Sequence, residues 1–365
     1  MDETHHGYDA GGFDLDILCC FEERDEYPSQ TEEEIMAKVT VLTAVYNAER
    51  YLRPCLDSLK NQTLTDCQFI CIDDCSTDAS YAILQEYAQA DQRFHLLRTP
   101  VNSGQAKARN LGLPFVKGKY IAMLDADDWY APDTLELACQ ALEETGAQCA
   151  LMELVMYYEE DRREELYPIC SNHNEWCGEE AFRLSLDWSL HGVYVTTADL
   201  YKRFPYDDSC RLYSDDNTTR LHYLNSQKVV LSQGRYYYRQ HPASMTTACS
   251  IRRFDYMPAN LSMKRQLESL ELTDKQGILD FYERHRWLNL VDCYRYYRLH
   301  RDAFKPEEHL EIQELFTRML ETIEPQRIPW SLKGKLGYYP FRSYRTFCFW
   351  EDLYFALREV LHPAP

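Results

Sequence analysis

The sequence predicts an α/β protein with a mostly parallel central sheet and a C-terminal helical extension. Three observations lead there. Strand and helix patterns alternate four times within about 110 residues, which is how βα units on a parallel sheet read. The residues able to do chemistry gather where those strands end. After residue 250, apolar side chains recur at helical spacing instead. On this reading residues 1–37 are an acidic N-terminal extension, 38–250 the α/β unit and 251–365 the helical region.

Residues 39–45 (VTVLTAV) are a β-branched run and read as a buried strand. A helix follows with Tyr51, Leu52, Cys55, Leu56 and Leu59 on its apolar face. Residues 68–72 (QFICI) make a second strand, and Asp78 is placed to cap a helix carrying Ile83, Leu84, Tyr87 and Ala88. Phe94 to Leu97 is a third strand, Ser103 opens a helix ending near Gly112, and 120–124 (YIAML) is a fourth strand. Pro132 suits the first turn of the helix after it. Right-handed crossovers then put ligands at the carboxyl ends of the strands. In the tail, Trp287, Leu290, Val291, Tyr294 and Tyr297 share one helix face. Phe347, Trp350, Tyr354, Leu357 and Leu361 share another, opposite Arg345, Asp352 and Glu359.

The chain has 365 residues and a net charge of −20, which makes it a poor partner for nucleic acid. Residues 1–35 hold twelve acids and one base, Arg24, without periodicity. They read as a solvated, disordered tail that folding does not need, with Met36 as an alternative start. No apolar run approaches the ~20 residues that span a bilayer, so a cytoplasmic protein is expected. Fourteen cysteines without a secretion signal read as reduced thiols. Cys67, Cys71 and Cys75 are spaced by four but fall on a strand and a turn, which speaks against a metal cluster.

The first strand runs into Tyr46-Asn47, the second into Asp73-Asp74-Cys75-Ser76-Thr77-Asp78, and the fourth into Asp125-Ala126-Asp127-Asp128. Acid clusters at strand ends are unfavourable unless hydrated, paired or bound to a cation. Two at one sheet edge suggest a cation site, and oxygen ligands suit Mg²⁺ or Mn²⁺. The glycine motifs GxGxxG and GxxxxGKS are absent. A nucleotide bound here would hold its phosphates through a metal, not a glycine cradle.

In this order and spacing, VLTAVYNAERYL, DDCSTD, NSGQAKARNLG and DADDW resemble the family 2 glycosyltransferases of the GT-A fold, over about residues 38–250. The resemblance implies an inverting glycosyltransferase that depends on a divalent cation (Mn or Mg). It implies a nucleotide-sugar donor, usually a UDP-sugar, and a role in cell-surface glycan or polysaccharide biosynthesis. By that resemblance Val45, Tyr46 and Asn47 pass against the nucleoside, and Asp74 bonds the base. Asn102 and Lys107 lie where a helix start can attract phosphate or close the nucleotide pocket. Arg109 either reaches the ligand or pairs with the acidic loops. Asp125-Ala126-Asp127 is the DXD element lying against the donor: Asp127 ligates the metal, and Asp125 contacts ribose or supports the metal shell. Asp128 stands behind them, and Trp129 either stacks on a sugar or packs under the loop.

Downstream, Trp188 and His191 to Val193 either line the acceptor cleft or pack in the core. By the same resemblance Asp216, in Ser214-Asp215-Asp216-Asn217, matches the position of the catalytic base, with Asp215 the alternative and helix N-capping the structural role open to either. Arg239, His241 and Ser244 resemble a segment that closes over the diphosphate, although a surface histidine is the plainer reading of His241. Glu283 to Trp287 (ERHRW) is a poor match to the QxxRW motif of processive synthases, with the wrong first residue. A sugar nucleotidyltransferase is disfavoured because TAVYNAERYL stands where a glycine-rich loop belongs. A catalytically inactive GT-A binding protein is disfavoured by the acids at 125, 127 and 216. The expected partners are the donor and a glycan or lipid-linked acceptor. Residues 325–350 carry five bases and no acid, interleaved with aromatics. They suggest peripheral contact with anionic lipid on the inner face of a membrane, against the alternative of a packed surface.

Overall fold

The computed structural model describes residues 37–169, 173–210, 212–241 and 250–361. The expectations for the N-terminal tail and for Ser244 lie outside them. From Ala37 onward the described residues form one compact unit.

The α/β part runs β1 (Val39–Val45), α1 (Leu52–Lys60), β2 (Cys67–Asp73), α2 (Ser80–Ala90), β3 (Phe94–Arg98), α3 (Gln105–Gly112), β4 (Tyr120–Met123) and β5 (Trp129–Tyr130). It continues through α4 (Thr134–Thr145), β6 (Cys149–Tyr158), β7 (Arg163–Leu166), β8 (Glu175–Trp176), α5 (Gly178–Leu186), β9 (Tyr194–Thr197), α6 (Ala198–Arg203), α7 (Ser214–Leu224) and β10 (Val229–Gln240). The sheet order is β3-β2-β1-β4-β9-β6-β10-β5, with β7 beside β6 and β8 beside β10. β3, β2, β1 and β4 are mutually parallel, and β6 is parallel to β10. β9 is reversed between β4 and β6, and β5, β7 and β8 also pair antiparallel to their neighbours.

β1 is buried on both faces, which is why it reads as a continuous apolar run. Val39, Val41 and Val45 pack with Leu52, Leu56 and Leu59 of α1, Leu84 of α2 and Leu135 of α4. Leu42, with Ile70 and Ile72 of β2, faces Ala106 and Ala108 of α3 and Tyr201 of α6. The chain therefore changes sides of the sheet between α2 and α3. β4 returns beside β1, and such a switch leaves a crevice at the carboxyl ends of those two strands. Pro132 falls just ahead of α4, whose N-cap is Asp133, so it precedes the first turn instead of lying in it.

The remaining helices are α8 (Tyr256–Ser269), α9 (Lys275–Leu299), α10 (Pro306–Glu321), α11 (Trp330–Lys333) and α12 (Tyr344–Leu361). Trp287, Tyr294, Phe316 and Phe347 centre their core. A second cluster joins them to the α/β part: Phe182 of α5 and Leu221 of α7 meet Met263, Leu279 and Tyr282. On α12 the core takes Phe347, Glu351 and Phe355, whereas Leu357 and Leu361 are exposed. The expected face was displaced, because the stripe that packs inward is the i, i+4, i+8 series from Phe347.

The ERHRW segment serves structure. Buried Glu283 accepts from Arg286 Nη1 at 2.7 Å and from the Glu324 backbone N–H at 2.7 Å, and Lys264 Nζ lies 3.3 Å away. Arg286 Nη2 donates to Thr322 Oγ1 at 2.7 Å, and the Trp287 indole donates to the Tyr338 carbonyl at 2.9 Å. This cluster ties α8 and α9 to the turn after α10. Removing one partner of a buried ionic group leaves charge uncompensated, which costs about 3–5 kcal/mol. Glu283→Ala is therefore expected to lower unfolding free energy by about 3 kcal/mol in urea titrations at an unchanged slope.

Candidate active site

The crevice is lined by the strand-end loops, which are stitched to one another before any ligand arrives. Asn47, at φ +49, follows β1. Its side-chain oxygen accepts from the Thr77 backbone at 2.8 Å, and its own N–H donates to Ser76 Oγ at 3.1 Å. Asp78 accepts from the Glu49 N–H at 3.1 Å and from the Ser80 N–H at 2.9 Å, so it joins the two loops as well as supporting the start of α2. Tyr46 and Asn47 remain exposed above buried Val45.

Asp74, expected to bond the base, is buried, and its oxygens take hydrogen bonds from the neighbouring loop. Its oxygens accept from Thr99 Oγ1 at 2.7 Å, Ser103 N–H and Oγ at 2.9 and 2.8 Å, and Gly104 N–H at 2.7 Å. It thereby fixes the loop that leads into α3. Gly104 sits there at φ +89, a conformation that glycine adopts without strain. Asn102, Ser103, Gly104 and exposed Lys107 line a cavity of about 380 Å³ with Asp208 and Cys210. Asp73 pairs with Arg98 Nε at 3.0 Å.

At the end of β4 three carboxylates have three different surroundings. Asp125 is paired with Arg109, which is buried beneath it and lies 5.2 Å from the Tyr206 ring. Burial pushes the Asp125 carboxyl up and Asp127 and Asp215 add to this, while Arg109 offsets part of it. Ala126 is buried in the sheet core. Asp128 is fully buried and accepts from the Tyr236 hydroxyl at 2.7 Å and the Arg239 N–H at 2.8 Å. Burial, then Asp125 and Asp127, push it well up. Asp127 is the open one. One oxygen meets His241 Nε2 at 3.2 Å, and the other makes no hydrogen bond among the described residues. His241 is buried against Asp127 and the Tyr51 ring, not a surface residue.

The loop is braced from behind by Arg239. Its Nε donates to the Asp127 carbonyl at 2.8 Å, and its guanidinium lies 4.6 Å from the Trp129 ring. Trp129 stacks on Tyr237 at 5.0 Å, so it packs under the loop. Among the described residues, no three His, Cys, Asp or Glu side chains converge to hold a metal unaided. Asp127, with Asp125 beside it, offers the one or two carboxylates with which small oxygen-seeking cations complete a shell made mostly of water and substrate phosphate. The donor set fits such an ion.

α7 approaches from the other side. Gln105, the first residue of α3, donates to Asp215 at 3.3 Å, which ties the start of α7 to that of α3. Tyr213, at φ +63, turns the chain into α7, its ring 4.4 Å from that of Tyr256. A bulky residue at positive φ is an outlier that its surroundings must hold. Asp216 Oδ2 is buried, accepts no hydrogen bond, and lies 3.8 Å from the buried guanidinium of Arg220. Burial pushes Asp216 up to about 7; Arg220 opposes this and Asp215 adds to it. Trp188 is exposed, at φ +64. His191 is core: buried, its imidazole lowered to about 4 by burial, its carbonyl accepting from Tyr223.

Sequence reasoning did not single out Tyr236, Arg220 or Gln105 for the site. The period-two pattern of VVLSQGRYYYRQ was the available signal for Tyr236. Arg220, one helical turn after Asp216, was the other.

Residues 40–209 match the glycosyl transferase family 2 sequence family. Over 114 residues the chain is 42% identical to EpsH of Bacillus subtilis (strain 168), covering 31% of this chain and 32% of that one. It is 40% identical over 101 residues to the poly(ribitol-phosphate) beta-glucosyltransferase of Bacillus spizizenii (strain ATCC 23059 / NRRL B-14472 / W23), 27% of this chain and 16% of that one. It thus spans about a third or less of both relatives. The crystal structure of S. aureus TarS 1–349 in complex with UDP-GlcNAc superposes with a TM-score of 0.71 at 18% identity, over 87% of this chain and 92% of that one. That likeness is one of fold, and the fold is GT-A.

Asp128→Ala leaves the Tyr236 hydroxyl and the Arg239 N–H buried without an acceptor. A loss of about 2 kcal/mol in unfolding free energy is expected. Asp128→Asn, which keeps one acceptor oxygen, should lose less in the same denaturant titration.

Proposed function

We propose, from the premise that residues 40–209 are a glycosyl transferase family 2 domain, that this chain is an inverting glycosyltransferase. It moves a sugar from a nucleotide-sugar, most naturally a UDP-sugar, to a hydroxyl of a cell-surface glycan or polysaccharide acceptor. The observation that carries the reading is Asp216. A buried carboxylate oxygen free of hydrogen bonds stands at the start of the helix that α3 ties to the acidic end of the sheet.

In this reading Val45, Tyr46 and Asn47 flank the nucleoside. Asp74 acts by holding the Asn102–Gly104 loop against them, and Lys107 lies over the phosphates. Asp127, with Asp125, would hold a divalent cation, which when bound offsets charge on the departing diphosphate. His241 and the Arg239 brace keep Asp127 in place. The acceptor hydroxyl attacks the anomeric carbon opposite the leaving group, and its proton passes to the Asp216 carboxylate as the bond forms. Arg220 counters burial, which alone would keep that carboxyl protonated at neutral pH. The exposed Trp188 offers an apolar face to the acceptor sugar. No helix among the described residues is long and apolar enough to cross a membrane. We place the reaction in the cytoplasm, peripheral to the inner face of a membrane, where a lipid-linked acceptor is reached.

Asp216→Asn keeps the shape but removes the proton acceptor. Turnover should fall about 10²-fold or more with UDP affinity nearly unchanged. A base must be ionised to work, so wild-type kcat/KM should climb through a pH of about 7 and level off above it. Arg220→Gln should move that limb to higher pH. Normal turnover in Asp216→Asn would remove it from the mechanism, and the same outcome with an inactive Asp215→Asn would transfer the role.

Asp127→Ala should lose Mn²⁺-dependent UDP binding in calorimetry, while Asp128→Ala retains most of it. Wild-type binding by Asp127→Ala would refute the metal assignment.

A further inference from the structure

The basic, aromatic run from 325 to 350 is left over from the site. Most of its aromatics turn inward: Phe347 is core, and Tyr338, Phe341 and Tyr344 pack against it. The outward apolar surface comes from α12 instead. Phe349, Leu353, Ala356 and Val360 follow at i, i+4, i+7 and i+11, on the side of the helix opposite Phe347, Glu351 and Phe355. Phe349 is 64% exposed, Val360 78% and Leu361 71%, and Trp330 of α11 is 73% exposed. A helix that is apolar on both faces is covered on both.

Charge selects what covers the second face. Lys335, Arg342 and Arg345, the last one turn before Phe349 on α12, are exposed and make no ion pair among the described residues. The nearby acids are already used. Glu351 is buried, and Asp352 and Glu359 both pair with Arg298. In a chain of net −20 this face therefore presents uncompensated positive charge. A second copy in a two-fold contact would set the same bases against themselves.

We propose that α12 and Trp330 dock on the surface of an anionic lipid bilayer. Phe349, Leu353, Val360 and Leu361 enter the boundary between headgroups and acyl chains, and the bases pair with anionic headgroups. The acidic remainder of the chain is repelled by the same surface, so binding is confined to this face and orients the molecule. The proposal rests on the reading of this chain as a glycan-assembling enzyme only for its purpose.

The test is flotation of the full chain with phosphatidylcholine vesicles, with and without phosphatidylserine. Co-flotation should require phosphatidylserine and weaken as salt rises. It should fall about tenfold or more in a Phe349→Ser/Val360→Ser variant, the scale expected from removing two large apolar groups. It should also fall in Arg342→Glu/Arg345→Glu. Both variants should melt like the wild type and still hydrolyse the donor, since the changed side chains are exposed and remote in sequence from the site. Three outcomes overturn the proposal: no flotation, equal flotation of wild type and the serine variant, or a dimer in sedimentation that the serine variant dissociates. Flotation measures no turnover. An active Asp216→Asn would therefore refute the enzymatic reading and leave docking standing.

Discussion

The architecture of the site follows from one constraint, the accumulation of negative charge at the carboxyl end of one sheet. Asp73, Asp74, Asp125, Asp127 and Asp128 end two strands, and Asp215 and Asp216 come in from α7. Like charges this close raise one another's pKa and oppose folding unless each finds an answer. Asp73 has Arg98, Asp74 the amides of the loop that leads into α3, Asp125 the buried Arg109, and Asp128 a phenol and an amide. Asp127, among these strand-end acids, keeps an oxygen turned outward. The loop is thus rigid around one open ligand position, the arrangement a substrate-bridging cation needs.

The helical region takes part in this balance. Arg220 lies under Asp216, and its other neighbours are Tyr256 of α8 and Tyr282 and His285 of α9. Burial, with Arg220 adding to it, pushes His285 well down, so it offers no second positive charge. The helices bury Asp216 Oδ2, and among the described residues Arg220 is the guanidinium that compensates it. A carboxyl near neutrality results from those two opposed effects.

Much of the fold was legible because β1, β2 and α1 obey simple periods: buried strands read as apolar runs, and α1 buries Leu52, Cys55, Leu56 and Leu59 at helical spacing. The crevice was legible because acids stood at strand ends. Less visible were contacts between residues far apart in the chain. Nothing local marks β9 as reversed, Tyr236 as the partner of Asp128, or Asp74 as the anchor of Gly104. His241 looked like a surface residue because its burial depends on Tyr51 and Asp127, both more than a hundred positions earlier. On α12 both faces are apolar, so periodicity could not say which one turns inward.

The brace of the acidic loop also has a history in time. Asp128 emerges from the ribosome over a hundred residues before Tyr236 and Arg239, its hydrogen-bond partners. β1 to β4 can pair as soon as they are made, but β5 has no strand to join until β10 exists. Through that interval the nascent chain carries its acidic motif on an unfinished edge. The site therefore matures late and all at once, and a fragment ending before β10 would display every strand-end motif while lacking the wall that holds them in register.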